Sequence, residues 1–216
     1  MHRARRRSAV TAPAPSAPEG AVRAILCLGA STGGITVLDR ILPELPADCP
    51  PTLVVQHIIG RFTEGLVRRL DGLCRARVVE AGDGMRLRRG TIYFAPGAEA
   101  HLQIDPAGLT CRLLEGAPRS GHRPSVDVLF HSAARLRRPV GAALLSGMGS
   151  DGAAGLRAIR DAGGFTIAQD EASCTVYGMP RAAVALGGAM VSLPPARIAE
   201  ALLAFATQGA PASRAP

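Results

Sequence analysis

Ile25-Leu26-Cys27-Leu28-Gly29-Ala30-Ser31-Thr32-Gly33-Gly34 is the stretch from which the rest of the chain is read. Its first half is an unbroken apolar run of strand length, and its second half is a turn of small residues carrying one serine, Ser31. Gly29, Ser31 and Gly33 fit the G-x-S-x-G elbow, where small neighbours permit a sharp strand-to-helix turn and leave the hydroxyl exposed. The same residues also read as an ordinary glycine-rich β-to-α turn. A catalytic reading therefore needs a base, an acid and an oxyanion site elsewhere in the chain.

Outward from this stretch, Ile35, Leu38, Ile41 and Leu42 recur at helical spacing up to Pro43 and Pro46, completing a β-turn-α unit. A second buried strand is expected from Thr52 to Gln56, ending at His57. Phe62, Leu66, Val67 and Leu70 predict the next helix, capped near Thr63, and Val78 with Val79 a third strand. Between Gly90 and Leu114 the segments TIYFAPG, AHLQID and LTCRLL read as short strands of an antiparallel extension, with a hairpin tip at Ala107-Gly108. Ser125 is the expected N-cap of a helix buried through Val126, Leu129, Phe130, Ala133 and Leu136.

A further apolar run, Val140 to Leu145, opens into the loop Ser146-Gly147-Met148-Gly149-Ser150-Asp151-Gly152 and a helix stopped at Gly163-Gly164. A strand from Phe165 to Gln169 ends at Asp170. A short helix near Arg181 to Leu186, a strand at Met190 to Leu193 and a helix from Pro195 to about Ala206 follow. The alternation predicts an α/β fold: a doubly wound, mainly parallel sheet flanked by helices, with a small antiparallel hairpin extension. Residues 1–20 are expected to be a disordered basic Pro/Ala-rich arm, 21–207 the folded domain and 208–216 a flexible tail.

Composition narrows the function. The chain has 216 residues, 47% of them hydrophobic, enough for a full core. No run of about 18 apolar residues marks a membrane span, and the basic start lacks a signal peptide's apolar core, so a cytoplasmic location is expected. Every one of the 25 basic Lys/Arg positions is arginine, which excludes a Walker lysine and a Schiff-base lysine. The net charge is +8, but four of the arginines sit in the first seven residues and no basic stripe is interleaved with aromatics, so nucleic acid is not an expected partner. Five scattered cysteines without a C-x-x-C pair suggest neither a disulfide framework nor a zinc site.

In an open parallel sheet the loops after the strands share one edge, where ligands bind at the reversal of strand order. Ser31, His57, Asp151 and Asp170 all follow strands of this kind. A serine hydroxyl needs a base within reach, and a carboxylate must hold the imidazole's tautomer, so serine, His57 and one aspartate satisfy the chemistry. Asp151 is favoured over Asp170 because glycines around it permit unusual backbone geometry, although each also reads as a simple cap or strand end. Backbone N–H groups of the Asp151 loop suit an oxyanion. His122, in a Gly/Pro loop beside Arg123, is a candidate to line the cleft, whereas His101 and His131 read as structural.

Several blocks together carry a family resemblance: Gly29 to Gly34, Val54-Val55-Gln56-His57 with Phe62-Thr63, Ala95-Pro96-Gly97 with His101-Leu102, Gly121 to Asp127, Gly147 to Gly152, Ala168 to Ser173 and Tyr177-Gly178-Met179-Pro180. In this order they resemble the catalytic domain of the chemotaxis protein-glutamate methylesterases. The resemblance implies a Ser31, His57, Asp151 triad, with Met148 in the oxyanion site beside Thr32 or the His57 backbone. It implies hydrolysis of γ-glutamyl methyl esters, with glutamine deamidation as a related activity, on the cytoplasmic domain of methyl-accepting chemoreceptors. A non-catalytic signalling module and an esterase for another protein are the alternatives. Such enzymes usually carry a receiver domain before the catalytic one, and only about twenty residues precede the first strand here. A separate regulatory protein is a candidate partner, and the resemblance calls for no metal or cofactor. The segment Ile58-Ile59-Gly60-Arg61 departs from the family's usual Met and Pro, which bears on substrate preference.

Overall fold

The computed structural model describes residues 21–58, 60–97 and 100–208. The expected basic arm at 1–20 and all but the first residue of the expected tail at 208–216 lie outside the described residues; Gln208 is the last residue of the final helix. The chain alternates β1 (Ile25–Ala30), α1 (Gly34–Ile41), β2 (Thr52–Gln56), α2 (Thr63–Asp71), β3 (Arg77–Glu80), β4 (Thr91–Phe94), β5 (His101–Asp105), β6 (Thr110–Leu114), α3 (Val126–Ala133), β7 (Val140–Leu144), α4 (Ala153–Asp161), β8 (Phe165–Gln169), α5 (Met179–Ala185), β9 (Val191–Leu193) and α6 (Pro195–Gln208).

Seven strands form one parallel sheet in the order β3-β4-β2-β1-β7-β8-β9, with Leu28 of β1 opposite Val54 of β2 and Ala143 of β7. Both faces are covered, so the central strands read as continuous apolar runs and β1 is buried at every residue. One face packs Leu26, Leu28, Val54 and Ala143 against Leu38 of α1, Leu66 of α2 and Leu202 of α6. The opposite face packs Cys27, Leu53, Val55 and Leu144 against Phe130 of α3, Leu156 of α4 and Met179 of α5. The hairpin β5–β6 joins that second core through Leu102, Ile104 and Cys111, with Ile104 opposite Cys111 in antiparallel register.

Two sequence expectations need correction. TIYF is not part of the antiparallel extension: it is β4, inserted between β3 and β2 in the parallel sheet. Ile92 and Phe94 enter one core and Tyr93 the other, the burial of an interior strand rather than of a hairpin arm. Thr63 does not cap α2; it is the helix's first residue, and no side chain caps that end. Its hydroxyl is buried against Gly97, where an added Cβ would lie 2.2 Å from Thr63 Oγ1. Elsewhere the differences are small. Helix α5 starts two residues earlier than expected, at Met179, because Pro180 fits the first turn, where its missing N–H costs nothing.

Candidate active site

Strand order reverses between β1 and β7: the chain leaves β1 toward β2, β4 and β3, and later returns on the other side through β7. The carboxyl ends of β1, β2 and β7 therefore border the crevice where an open α/β sheet binds ligand. Past the strand ends the backbone ladder continues, with Ser31 N–H donating to Ser146 O at 3.0 Å and His57 N–H to Ala30 O at 2.9 Å. These bonds fix the serine turn to the loop after β7 and to the histidine after β2. Gly33, the N-cap of α1, takes φ of 79°, the left-handed geometry that lets the turn close at once into a helix.

Close packing also holds the serine turn. A Cβ on Gly147 would lie 2.7 Å from Ser31 Cβ and 2.2 Å from Met179 Sδ, closer than atoms approach without displacement. Gly147→Ala is expected to destabilise the fold by about 1–3 kcal/mol through overpacking and to push the serine turn off position. Chemical denaturation checks it; unchanged stability would show that this contact is slack.

His57 Nε2–H donates to Asp151 Oδ2 at 2.9 Å, since an ionised carboxylate can only accept. The Asp151 side chain is fully buried and sits at the N-terminus of α3. Its Oδ1 accepts from Ser125 Oγ at 2.8 Å and from Asp127 N–H at 3.1 Å, and its Oδ2 from Val126 N–H at 2.7 Å. Burial by itself pushes Asp151 up; the hydrogen bonds from His57, Ser125, Val126 and Asp127 outweigh it and hold the carboxyl below its ordinary pKa. The arrangement is reciprocal, because Asp127 Oδ1 accepts Gly155 N–H at 2.7 Å at the start of α4, the helix that follows Asp151. Burial, reinforced by the negative charge of Asp151, raises the pKa of Asp127.

The other imidazole nitrogen, His57 Nδ1, is buried and has no partner among the described residues. The ring stacks on His122, with centroids 3.8 Å apart and planes inclined by 10°. Partial burial and the neighbouring His57 lower the pKa of His122, favouring a neutral ring. Arg123 Nη1 donates to Gly116 O at 2.7 Å, which ties that side chain to its own loop. Met148 projects outward, 68% exposed. The Thr32 carbonyl accepts from Ser146 Oγ at 2.8 Å, while the N–H groups of Thr32 and Met148 donate to no acceptor among the described residues.

Asp170 lies apart from the His57–Asp151 pair. It caps the short 3₁₀ turn Glu171–Ser173, accepting from the N–H and hydroxyl of Ser173. His101 is buried between loops, accepting Ser125 N–H at Nδ1 and donating from Nε2 to Ala117 O, each at 3.1 Å. Three buried polar residues at this edge have no role in the sequence reading: Gln56, Ser146 and Gln169. Gln56 and Gln169 are the polar last residues of β2 and β8, and Ser146 lies two residues past the end of β7. Among the described residues no group of three or more His, Cys, Asp or Glu side chains is placed to hold a metal, and no helix is long and apolar enough to cross a membrane.

Fold and geometry together define a class: doubly wound α/β proteins that set a serine turn and a buried His–Asp pair at the sheet's switch point. The chain belongs to the CheB methylesterase family, whose model matches residues 26–202. It is 48% identical over 203 residues to the protein-glutamate methylesterase/protein-glutamine glutaminase of Agrobacterium fabrum, covering 93% of this chain and 58% of that one. A Pseudomonas aeruginosa protein of the same name is 50% identical over 204 residues, covering 92% and 58%. The crystal structure of the Thermotoga maritima CheB methylesterase catalytic domain superposes with a TM-score of 0.81 at 35% identity, covering 86% of this chain and all of that one. The chain thus spans a little under three fifths of the length of those two curated relatives.

Proposed function

We propose that this chain is a serine esterase that removes the methyl group from γ-glutamyl methyl esters of chemoreceptor cytoplasmic domains, working in the cytoplasm. The observation that carries the reading is the buried His57–Asp151 pair, with Nδ1 left unpartnered on a residue whose backbone N–H is bonded to Ala30 O, next to Ser31. In this reading Ser31 Oγ attacks the ester carbonyl while His57 Nδ1 takes its proton. Asp151 holds the Nε2–H tautomer and stabilises the imidazolium that forms. The N–H groups of Thr32 and Met148 receive the oxyanion. The imidazolium then protonates the departing methoxide, methanol leaves, and a water activated by the same imidazole releases the glutamate. Glutamine deamidation follows the same course with ammonia as leaving group.

Substrate recognition in this proposal rests on Met148 and on the loop carrying His122 and Arg123. The folded domain, 21–207, is the catalytic unit. The test is methanol release from methylated chemoreceptor cytoplasmic fragments. Release that saturates with fragment concentration supports the reading; a folded protein that releases none and leaves Ser31 unlabelled by a fluorophosphonate overturns it.

A further inference from the structure

Gln56, the last residue of β2, is 4% exposed, yet it carries a primary amide. Its Nε2 donates to Ser31 O at 2.9 Å and to His57 O at 3.0 Å. Carbonyl oxygens only accept, so the amide orientation is fixed chemically: the reversed amide would set oxygen against oxygen twice. Its Oε1 is buried without a partner among the described residues, so the side chain is retained there at a desolvation cost.

The acceptor on the serine side matters. Ser31 C=O and Thr32 N–H belong to one peptide unit, and in a planar trans peptide the two point in opposite directions. Ser31 O is held by Gln56 Nε2 and also by Gly34 N–H at 2.8 Å. Fixing that oxygen fixes the direction of Thr32 N–H, which faces away from Gln56 and donates to no acceptor among the described residues. The same amide nitrogen restrains the peptide unit that follows His57.

We infer that Gln56 is a positioning residue for the ester hydrolysis: one side-chain amide sets the oxyanion donor Thr32 N–H in register with the base His57. The inference rests on the esterase reading above. It adds a role for a residue that touches neither substrate nor the reacting atoms. Gln56 acts through two backbone carbonyls, and its contribution grows as negative charge collects on the ester oxygen in the transition state. Loss of an oxyanion donor costs on the order of 10²–10³ in turnover, and a misaimed donor forfeits part of that.

The experiment compares wild type, Gln56→Met and Gln56→Glu on a γ-methyl glutamyl peptide, with affinity for a small boronic acid that forms a tetrahedral adduct on serine. Methionine keeps the volume and removes both donated bonds; glutamate keeps the shape and, ionised, cannot donate. The expected result is kcat lowered by about 10- to 100-fold, KM within about twofold, and boronate affinity weakened in proportion to kcat, in each variant that melts cooperatively. Ser31→Ala supplies the baseline for both readouts. A folded variant with kcat and boronate affinity within about threefold of wild type overturns the inference and leaves the esterase reading intact. A rise in KM without loss of kcat overturns it equally. A wild type inert toward both ester and boronate overturns the esterase reading, and this inference with it.

Discussion

Ser31→Ala is expected to lower methyl-ester hydrolysis by on the order of 10⁶-fold while the protein folds normally. The rate effect follows from removing the only group in the proposed site able to form the acyl intermediate. What remains, the N–H groups of Thr32 and Met148 with His57 and Asp151, retains a small residual advantage over water, as such sites do without their nucleophile. Folding is spared because the turn is held by its backbone. Ser31 N–H donates to Ser146 O, and Ser31 O accepts from Gly34 N–H and Gln56 Nε2. Alanine keeps all three bonds. The Ser31 hydroxyl contributes no hydrogen bond among the described residues, so its loss leaves no buried polar group unpaired. Methanol release and thermal melting of the same preparation check both halves. A variant that retains even about a hundredth of wild-type turnover while melting normally would exclude covalent catalysis by Ser31.

The sheet was legible because β1, β2 and β7 are buried on both faces and must be apolar along their whole length. Their ends were legible because each stops at a glycine, histidine or serine with evident chemistry. The hairpin was found at its tip, but β4 was placed in the wrong layer. Four residues flanked by Gly and Pro carry no local mark of whether their neighbour runs parallel, and that pairing is fixed by β2 and β3, far away in sequence. Locally, only the glycines around Asp151 favour it over Asp170. Both follow strands, and both sit near small residues. Asp151 becomes the histidine's partner through donors 24 to 26 positions earlier, at the start of α3. The stacking of His122 on His57 joins a loop to a strand end across the cleft, and nothing in residue type or spacing near either ring announces it.

Asp151→Asn is expected to lower turnover by about 10⁴-fold and to weaken the fold, two effects with separate causes. For catalysis, an amide facing His57 Nε2 favours the tautomer protonated at Nδ1, the nitrogen that the proposed mechanism needs free to accept the serine proton. For stability, Asp151 receives donors from Ser125 Oγ and from the N–H groups of Val126 and Asp127, besides His57. Asparagine has one acceptor oxygen to meet them, and its NH₂ must face a donor. The unsatisfied groups are buried at a helix N-terminus, so a loss of about 1–3 kcal/mol is expected. The pH dependence separates this from generic damage. The pKa of Asp151 is held below its unfolded value, so the carboxylate's contribution is fully present above the unfolded pKa of about 3.9 and disappears as pH falls through the folded value. Wild type therefore loses this part of its stability on acidification below about pH 4. In the asparagine variant that part is already missing, and the gap between the two proteins narrows in the same range. Denaturant titrations from neutral pH into the acid range check this. A gap that stays constant would mean that Asp151 stabilises the protein by shape rather than by charge, which would remove the electrostatic basis for assigning it as the partner of His57.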